Sequence, residues 1–327
     1  MTHAARPRVA IVTPYTAAAN NGNWHTAARW ASFLGRRYRV AIEQSWDGSS
    51  CDLLLALHAG RCAESIRRFA EAHPGRPLVV VLTGTDLYRD LAESPEARRS
   101  LDLASRLVVL NELGPRRLPP AVRDKTEVIL QSARPLPAAP KPAQHLAIAV
   151  VGHLRDEKNP QLVWALLDRL PAGLPLRIRH VGSAFDARLE AGAIAAMTDP
   201  RYRWLGGRSR ARAREVMRRS HLLLHPSSME GGAQAVIEAV TSHTAVLASG
   251  IDGNAGLLGE DYEGLFTEND VDAACELVLR AARQPRFVQR LRRLCERRAP
   301  LFTPERERAK LHSLVDNCLL HSVRTNR

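Results

Sequence analysis

Short apolar runs rich in Val, Ile and Leu recur along the chain and alternate with stretches of helical spacing. In the first half they are VAIVT (9–13), RVAIE (39–43), DLLLALH (52–58), PLVVVLTG (77–84), RLVVLN (106–111) and EVILQ (127–131). Most are apolar without a break, so both faces of each strand must be covered, which means a parallel sheet with helices on either side. A proline-rich stretch, ARPLPAAPKPAQH (133–145), interrupts this pattern and predicts a linker. The pattern then restarts with LAIAVVGH (146–153), LRIRHVGS (176–183), YRWLG (202–206), HLLLHPS (221–227) and AVLAS (245–249). The expected fold class is α/β, with two Rossmann-like doubly wound domains, 1–132 and 146–303, whose strand C-terminal ends face a central cleft. Residues 304–327 form a further helix, with Leu311, Leu314, Val315, Cys318 and Leu319 on one packing face.

The 327 residues suffice for two cores. No apolar run approaches the roughly 20 residues of a membrane helix, and the N-terminus lacks a signal-peptide pattern, so a cytoplasmic protein without membrane insertion is expected. The five cysteines are scattered and form no C-x-x-C pair, as reduced structural thiols do. The net charge of +13 favours anionic partners. Nucleic acid is one such partner, but aromatic residues make up only 5% of the chain and neither an RNP-like nor a zinc motif is present. A nucleic-acid-binding protein therefore remains the different-class alternative.

The most informative segment is HPSSMEGGAQAVIEAV (225–240). A strand ends, a loop follows, and Gly231-Gly232 open a helix. Backbone N–H groups near these glycines can receive an anion. Glu230 and Glu238 are separated by seven residues, too far to share a proton, and can grip two sets of hydroxyls. This pattern resembles the E-x7-E motif of retaining GT-B glycosyltransferases of family GT4. The resemblance implies that Glu230 contacts the donor sugar and Glu238 the nucleotide ribose. Relatives usually carry E-G-x-G, whereas this chain has Glu230-Gly231-Gly232-Ala233, which shifts the expected backbone approach by a residue.

VGHLRDEKNP (151–160) fits the same family. Relatives place an Arg and a Lys after this strand to neutralise the diphosphate. Lys158 matches the Lys, His153 stands where the Arg belongs, and Arg155 is the candidate replacement. A solvated mixed-charge loop is the other reading. Near 204–206, Leu205 and Gly206 either offer backbone groups to a uracil or form a plain strand-to-helix turn.

The first half supplies the acceptor side. NNGNWHT (20–26) has one glycine and three asparagines between a strand and a helix, so Asn20, Asn21 and Asn23 offer amide donors beside Gly22 and a helix start. LHAGRC (57–62) adds His58 and Arg61, and LTGTDLYRD (82–90) adds Thr85, Asp86 and Arg89. These strings resemble one branch of the family, the selenosugar synthase of selenoneine biosynthesis. The resemblance implies transfer of a glycosyl group from UDP-N-acetylglucosamine or UDP-glucose to selenophosphate, giving a 1-seleno-sugar, with no cofactor and no metal. Selenophosphate is small and anionic, so donors and charge suit it better than a long groove. A selenium nucleophile of low proton affinity needs no strong base, so the expected mechanism is positioning plus leaving-group stabilisation. His25 and His58 are either catalytic or structural, and Asp86 either contacts a ligand or caps the next segment. Trp24 either walls the site or packs. A GT4 enzyme acting on another small phosphorylated or lipid acceptor is the nearer alternative, and an inactive sugar-nucleotide-binding module is a further one.

Overall fold

The computed structural model describes residues 6–15 and 22–325, so Asn20 and Asn21 lie outside the described residues. The chain divides into two units, residues 1–131 with 304–327 and residues 132–303.

The first unit holds a parallel sheet of six strands: β1 Arg8–Val12, β2 Arg39–Glu43, β3 Leu53–Leu57, β4 Leu78–Leu82, β5 Arg106–Val109 and β6 Thr126–Val128. Their spatial order is β2-β1-β3-β4-β5-β6. The central strands β3 and β4 are buried along their whole length, as their unbroken apolar runs require. The outermost β2 is half-exposed and carries Arg39 and Glu43. One face is covered by the helices Gly22–Leu34 and Pro304–Thr325, which enclose Ile11, Trp30, Leu55, Leu311, Leu314 and Val315. The opposite face is covered by Ala63–Ala72 and Pro95–Leu103, with Phe69 and Leu101 against Val80 and Leu82. The C-terminal helix is anchored by the buried Glu307, whose Oε1 accepts from Trp30 Nε1 at 2.7 Å while Oε2 lies 2.9 Å from Arg29 Nε. A buried carboxylate demands such partners, and the cation and the indole N–H supply them.

The second unit holds another all-parallel sheet: β7 Leu146–Val151, β8 Leu176–Val181, β9 Tyr202–Trp204, β10 Leu222–His225, β11 Ala245–Ser249 and β12 Leu265–Phe266. The order is β12-β11-β10-β7-β8-β9. The two-residue β12 carries no apolar run and was not among the expected strands. Residues 133–145 form no helix or strand and are grouped with this unit. There, Ala133 N–H donates to Phe302 O at 3.1 Å and Leu136 N–H to Thr241 O at 3.0 Å.

Strand order reverses direction between β1 and β3 in the first sheet and between β7 and β10 in the second. At such points the loops after neighbouring strands diverge to opposite faces and leave a crevice at the strands' C-terminal ends.

Candidate functional site

At the β7/β10 reversal, the loop after β7 makes a tight turn, Asp156–Lys158, and hands over to the helix Pro160–Arg169. Asn159 takes a left-handed conformation (φ 47°), and its side chain accepts from Leu162 N–H at 3.3 Å. The N-P pair therefore fixes where the helix begins and so where Lys158 emerges. Lys158 Nζ donates to Glu230 Oε1 at 2.5 Å. The same oxygen accepts from His225 Nε2 at 2.9 Å, and Ser227 Oγ lies 3.2 Å from that nitrogen. Glu230 and His225 are both buried. Burial alone would push the Glu230 carboxyl up, but the Lys158 ammonium and the His225 hydrogen bond outweigh it and hold the group well below the ordinary carboxylate range. Glu230 is therefore a charged acceptor at neutral pH.

Two close backbone crossings shape this edge. A Cβ on Gly182 would fall 1.8 Å from Gly152 O, and one on Gly253 would fall 2.0 Å from Glu230 O. Only glycine lets these segments approach so closely. Ser228 N–H also donates to Glu157 O at 3.0 Å, tying the β10 loop to the β7 loop.

The helix after β10 runs Gln234–Val240, so Gly231 and Gly232 lie in the loop before it, a correction to the expectation that they open the helix. Its N-cap position is an apolar residue, Ala233, with no side-chain cap hydrogen bond. Glu238 is buried on that helix and meets Arg210 Nε at 2.5 Å. Lys158, Glu230 and Glu238 thus lie on loops and helices at one sheet edge. Arg155 and His153 take a different course. The Arg155 guanidinium stacks over the exposed Phe185 ring at 5.2 Å, and the His153 ring meets that ring edge-on at 5.1 Å. His153 Nδ1 accepts from Ser183 N–H at 3.1 Å. Leu205 N–H is committed to His180 O at 2.8 Å and Gly206 O to Gly182 N–H at 3.0 Å, so neither of these two groups is open to a base. His225 and Arg210 were missed in the sequence. The signal for His225 was a polar residue closing the apolar run LLLH, and for Arg210 an Arg in the loop-to-helix junction RSRAR.

At the β1/β3 reversal of the first unit, His58 follows β3 with φ 102°, a left-handed conformation that is costly for a residue with a Cβ. It is buried, and its Nδ1 accepts from Arg61 N–H at 3.1 Å. Nε2 therefore carries the proton of the neutral ring, 3.0 Å from Thr85 Oγ1 and 3.6 Å from Asp90 Oδ2. Arg61 stacks over the Tyr15 ring at 5.2 Å, from the loop after β1. Asp86 is fully buried. Its Oδ1 accepts from Thr83 N–H at 2.9 Å and Gly84 N–H at 2.8 Å, and its Oδ2 from Ala59 N–H at 3.0 Å. This corrects both expectations for Asp86. It offers no open face to an acceptor or a sugar, and instead of capping the following segment it clamps the β3 loop to the β4 loop. Gly22, Asn23, Trp24 and His25 form the first turn of the helix Gly22–Leu34, with Gly22 exposed and the others partly buried.

Cys62, beside this edge, is pushed up to about 12 by burial and by Asp86, so it is a protonated thiol and no nucleophile. Among the described residues, no group of three or more His, Cys, Asp or Glu is arranged to hold a metal ion. No helix among the described residues is long and apolar enough to cross a membrane.

Residues 137–299 match the family described as Glycosyl transferases group 1. The second unit belongs to the group 1 glycosyl transferases. No curated protein matches the chain in sequence. Solved structures resemble the chain along nearly its whole length. Sucrose-phosphate synthase from Thermosynechococcus elongatus superposes with a TM-score of 0.80 and 13% identity over 97% of this chain and 100% of that one. Anabaena HepE, in complex with UDP-glucose, gives 0.75 and 14% over 95% and 100%. WaaG, a glycosyltransferase involved in lipopolysaccharide biosynthesis, gives 0.66 and 17% over 93% and 99%. At these identities the likeness establishes the fold: two parallel-sheet, Rossmann-like α/β domains of the GT-B glycosyltransferase kind.

Proposed function

We propose that the protein is a selenosugar synthase, which transfers a glycosyl group from UDP-N-acetylglucosamine or UDP-glucose to selenophosphate. The observation that carries the transferase half is the Lys158–Glu230–His225 cluster at the β7/β10 reversal. Its cation and carboxylate are held by each other, in an arrangement that a sugar nucleotide can open. Lys158 then faces the diphosphate, with Arg155 and His153 on the flank. Glu230 accepts from hydroxyls of the donor sugar, and Glu238, released from Arg210, from those of the ribose. Gly231 and Gly232 give backbone N–H groups, while Leu205 O and Gly206 N–H meet the uracil. HepE, crystallised with UDP-glucose, shares the fold, which supports a UDP-sugar donor.

The acceptor falls to the first unit. His58 Nε2–H, Thr85 Oγ1 and the Arg61 guanidinium are suited to a small oxyanion, together with Gly22 and Asn23 at the start of the first helix; Asn20, two residues before Gly22 in the sequence, is assigned the same role. His25, one turn into that helix, is placed to orient the acceptor. Selenium attacks the anomeric carbon as the bond to UDP breaks. Water then cleaves the Se–P bond, so one UDP-sugar, one selenophosphate and one water yield seleno-sugar, UDP and phosphate. Positive charge at Lys158 stabilises the departing UDP.

The test is incubation with each UDP-sugar and selenophosphate, followed by mass spectrometry. UDP, phosphate and a selenium-bearing sugar should appear together, and none of them without selenophosphate. UDP release only with an alcohol, sugar phosphate or lipid acceptor would leave a group 1 glycosyltransferase and sink the selenium assignment.

A further inference from the structure

The second unit contains a cavity of about 530 Å³ at the other end of its sheet. Residues 138–146 form one wall, and Pro175, His221 and His243, which precede β8, β10 and β11, form the floor. The helices Val271–Arg283 and Pro285–Arg298 close it. All these residues belong to the second unit, and all lie away from the strand C-terminal ends that carry Lys158 and Glu230.

The lining is chemically lopsided. It includes Lys141, His145, His221, His243 and Arg292 and no Asp or Glu. Glu296, outside it, lies 3.3 Å from His243 Nδ1 and 3.7 Å from Arg292 Nε, one carboxylate for two bases. Lys141 Nζ donates to Arg218 O at 3.2 Å and to Ser220 O, which leaves its third N–H for the cavity. His221 Nδ1 accepts from Ala147 N–H at 3.0 Å, so its proton sits on Nε2. Burial, and next the Arg292 charge, lower Lys141 to about 8; burial, Lys141 and His145 lower His221. The bases therefore oppose one another's charging, and a bound anion would relieve that opposition. Leu146, Pro175 and Val288 supply an apolar surface between them, and the volume lies within the usual small-molecule range of about 300–1,000 Å³.

We propose that this cavity is a second ligand site, for a phosphate monoester with a compact apolar body. Lys141 and Arg292 match the two charges of the phosphate, and the imidazoles donate to its oxygens. The site is independent of the donor site and of what the enzyme transfers.

Pyridoxal 5′-phosphate is a suitable probe, since it joins a phosphate to a flat ring. Its aldehyde condenses with an uncharged amine, losing water, and borohydride then fixes the adduct as a secondary amine. The chain has four lysines, Lys125, Lys141, Lys158 and Lys310, so peptide mapping resolves each. Lys141 should label at least about tenfold faster than the exposed Lys310, as its lowered pKa and phosphate-binding neighbours require. Phenyl phosphate should protect Lys141, whereas UDP should not. Arg292→Glu should slow labelling at Lys141 and leave Lys158 unchanged. Lys141 labelling no faster than Lys310, its protection by UDP, or indifference to Arg292→Glu would each overturn the proposal. UDP protection of Lys158 tests the donor assignment separately.

Discussion

Two carboxylates, Glu230 and Asp86, are both buried just past the C-terminal end of a strand, Glu230 in the loop after β10 and Asp86 at the start of the helical turn Asp86–Asp90 after β4. Their partners differ in kind. Glu230 is held by side chains, an ammonium and an imidazole, that can turn toward a ligand. Asp86 is held by three backbone N–H groups that cannot turn away without moving two loops. A carboxylate with exchangeable partners is suited to recognition, and one with fixed partners to architecture. Under the proposed function, acceptor recognition in the first unit falls to His58, Arg61 and Thr85, on or beside the two segments that Asp86 ties together.

Substitution should separate these roles. The largest effect is expected from Asp86→Ala, which leaves three N–H groups without their acceptor. At ~1–3 kcal/mol for each unsatisfied buried group, a loss of roughly 3–9 kcal/mol is expected in urea unfolding of the first unit. A loss below about 1 kcal/mol would erase the contrast. Glu230→Gln comes next. It should lower turnover about 100-fold or more, by analogy with the loss of one preorganised polar group, and cost less stability than Asp86→Ala.

Acid sharpens the same contrast. The folded state holds the Glu230 proton more weakly than an unfolded glutamate does. Its ionic contribution to stability is therefore complete above the ordinary value of 4.5 and is lost as pH falls below it. The stability difference between wild type and Glu230→Gln should narrow on acidification below that pH, and a constant difference would contradict the assigned ionic pairing. The smallest effects concern binding. Glu238→Ala should weaken UDP about tenfold in calorimetry, the order of one charge-assisted hydrogen bond. Asn23→Ala should leave UDP affinity alone and impair acceptor use. Equal loss of UDP binding in both would overturn the division of labour between the units.

The sheets were legible in the sequence because strands buried on both faces must be written as unbroken apolar runs. LLLAL and LVVVL announce β3 and β4 directly, whereas the two-residue β12 leaves no such trace. The placement of Glu230, Glu238 and Lys158 after β10 and β7 was legible because strand, loop and helix follow one another locally around them. Asp86 was misread because its role depends on the loops of two different strands lying side by side, and a linear string carries no record of that adjacency. His225 was missed for a related reason. Its side chain reaches Glu230 only because the intervening loop folds back over the end of β10. Only the structure shows that Gly182 faces Gly152 and Gly253 backs onto Glu230, because these glycines meet partners distant in the sequence.

The return of the helix Pro304–Thr325 to the first unit also orders events on the ribosome. Trp30 is made early, yet the carboxylate that receives its indole N–H belongs to Glu307, which is made after the whole second unit. At ~5–20 residues per second, the wait lasts on the order of tens of seconds. Through that interval the nascent first sheet has one face short of its closing helix, and residues 132–303 have all the chain they need before it does. The usual N-terminus-first sequence of maturation is thus reversed, and the earliest-synthesised unit is the last to be completed.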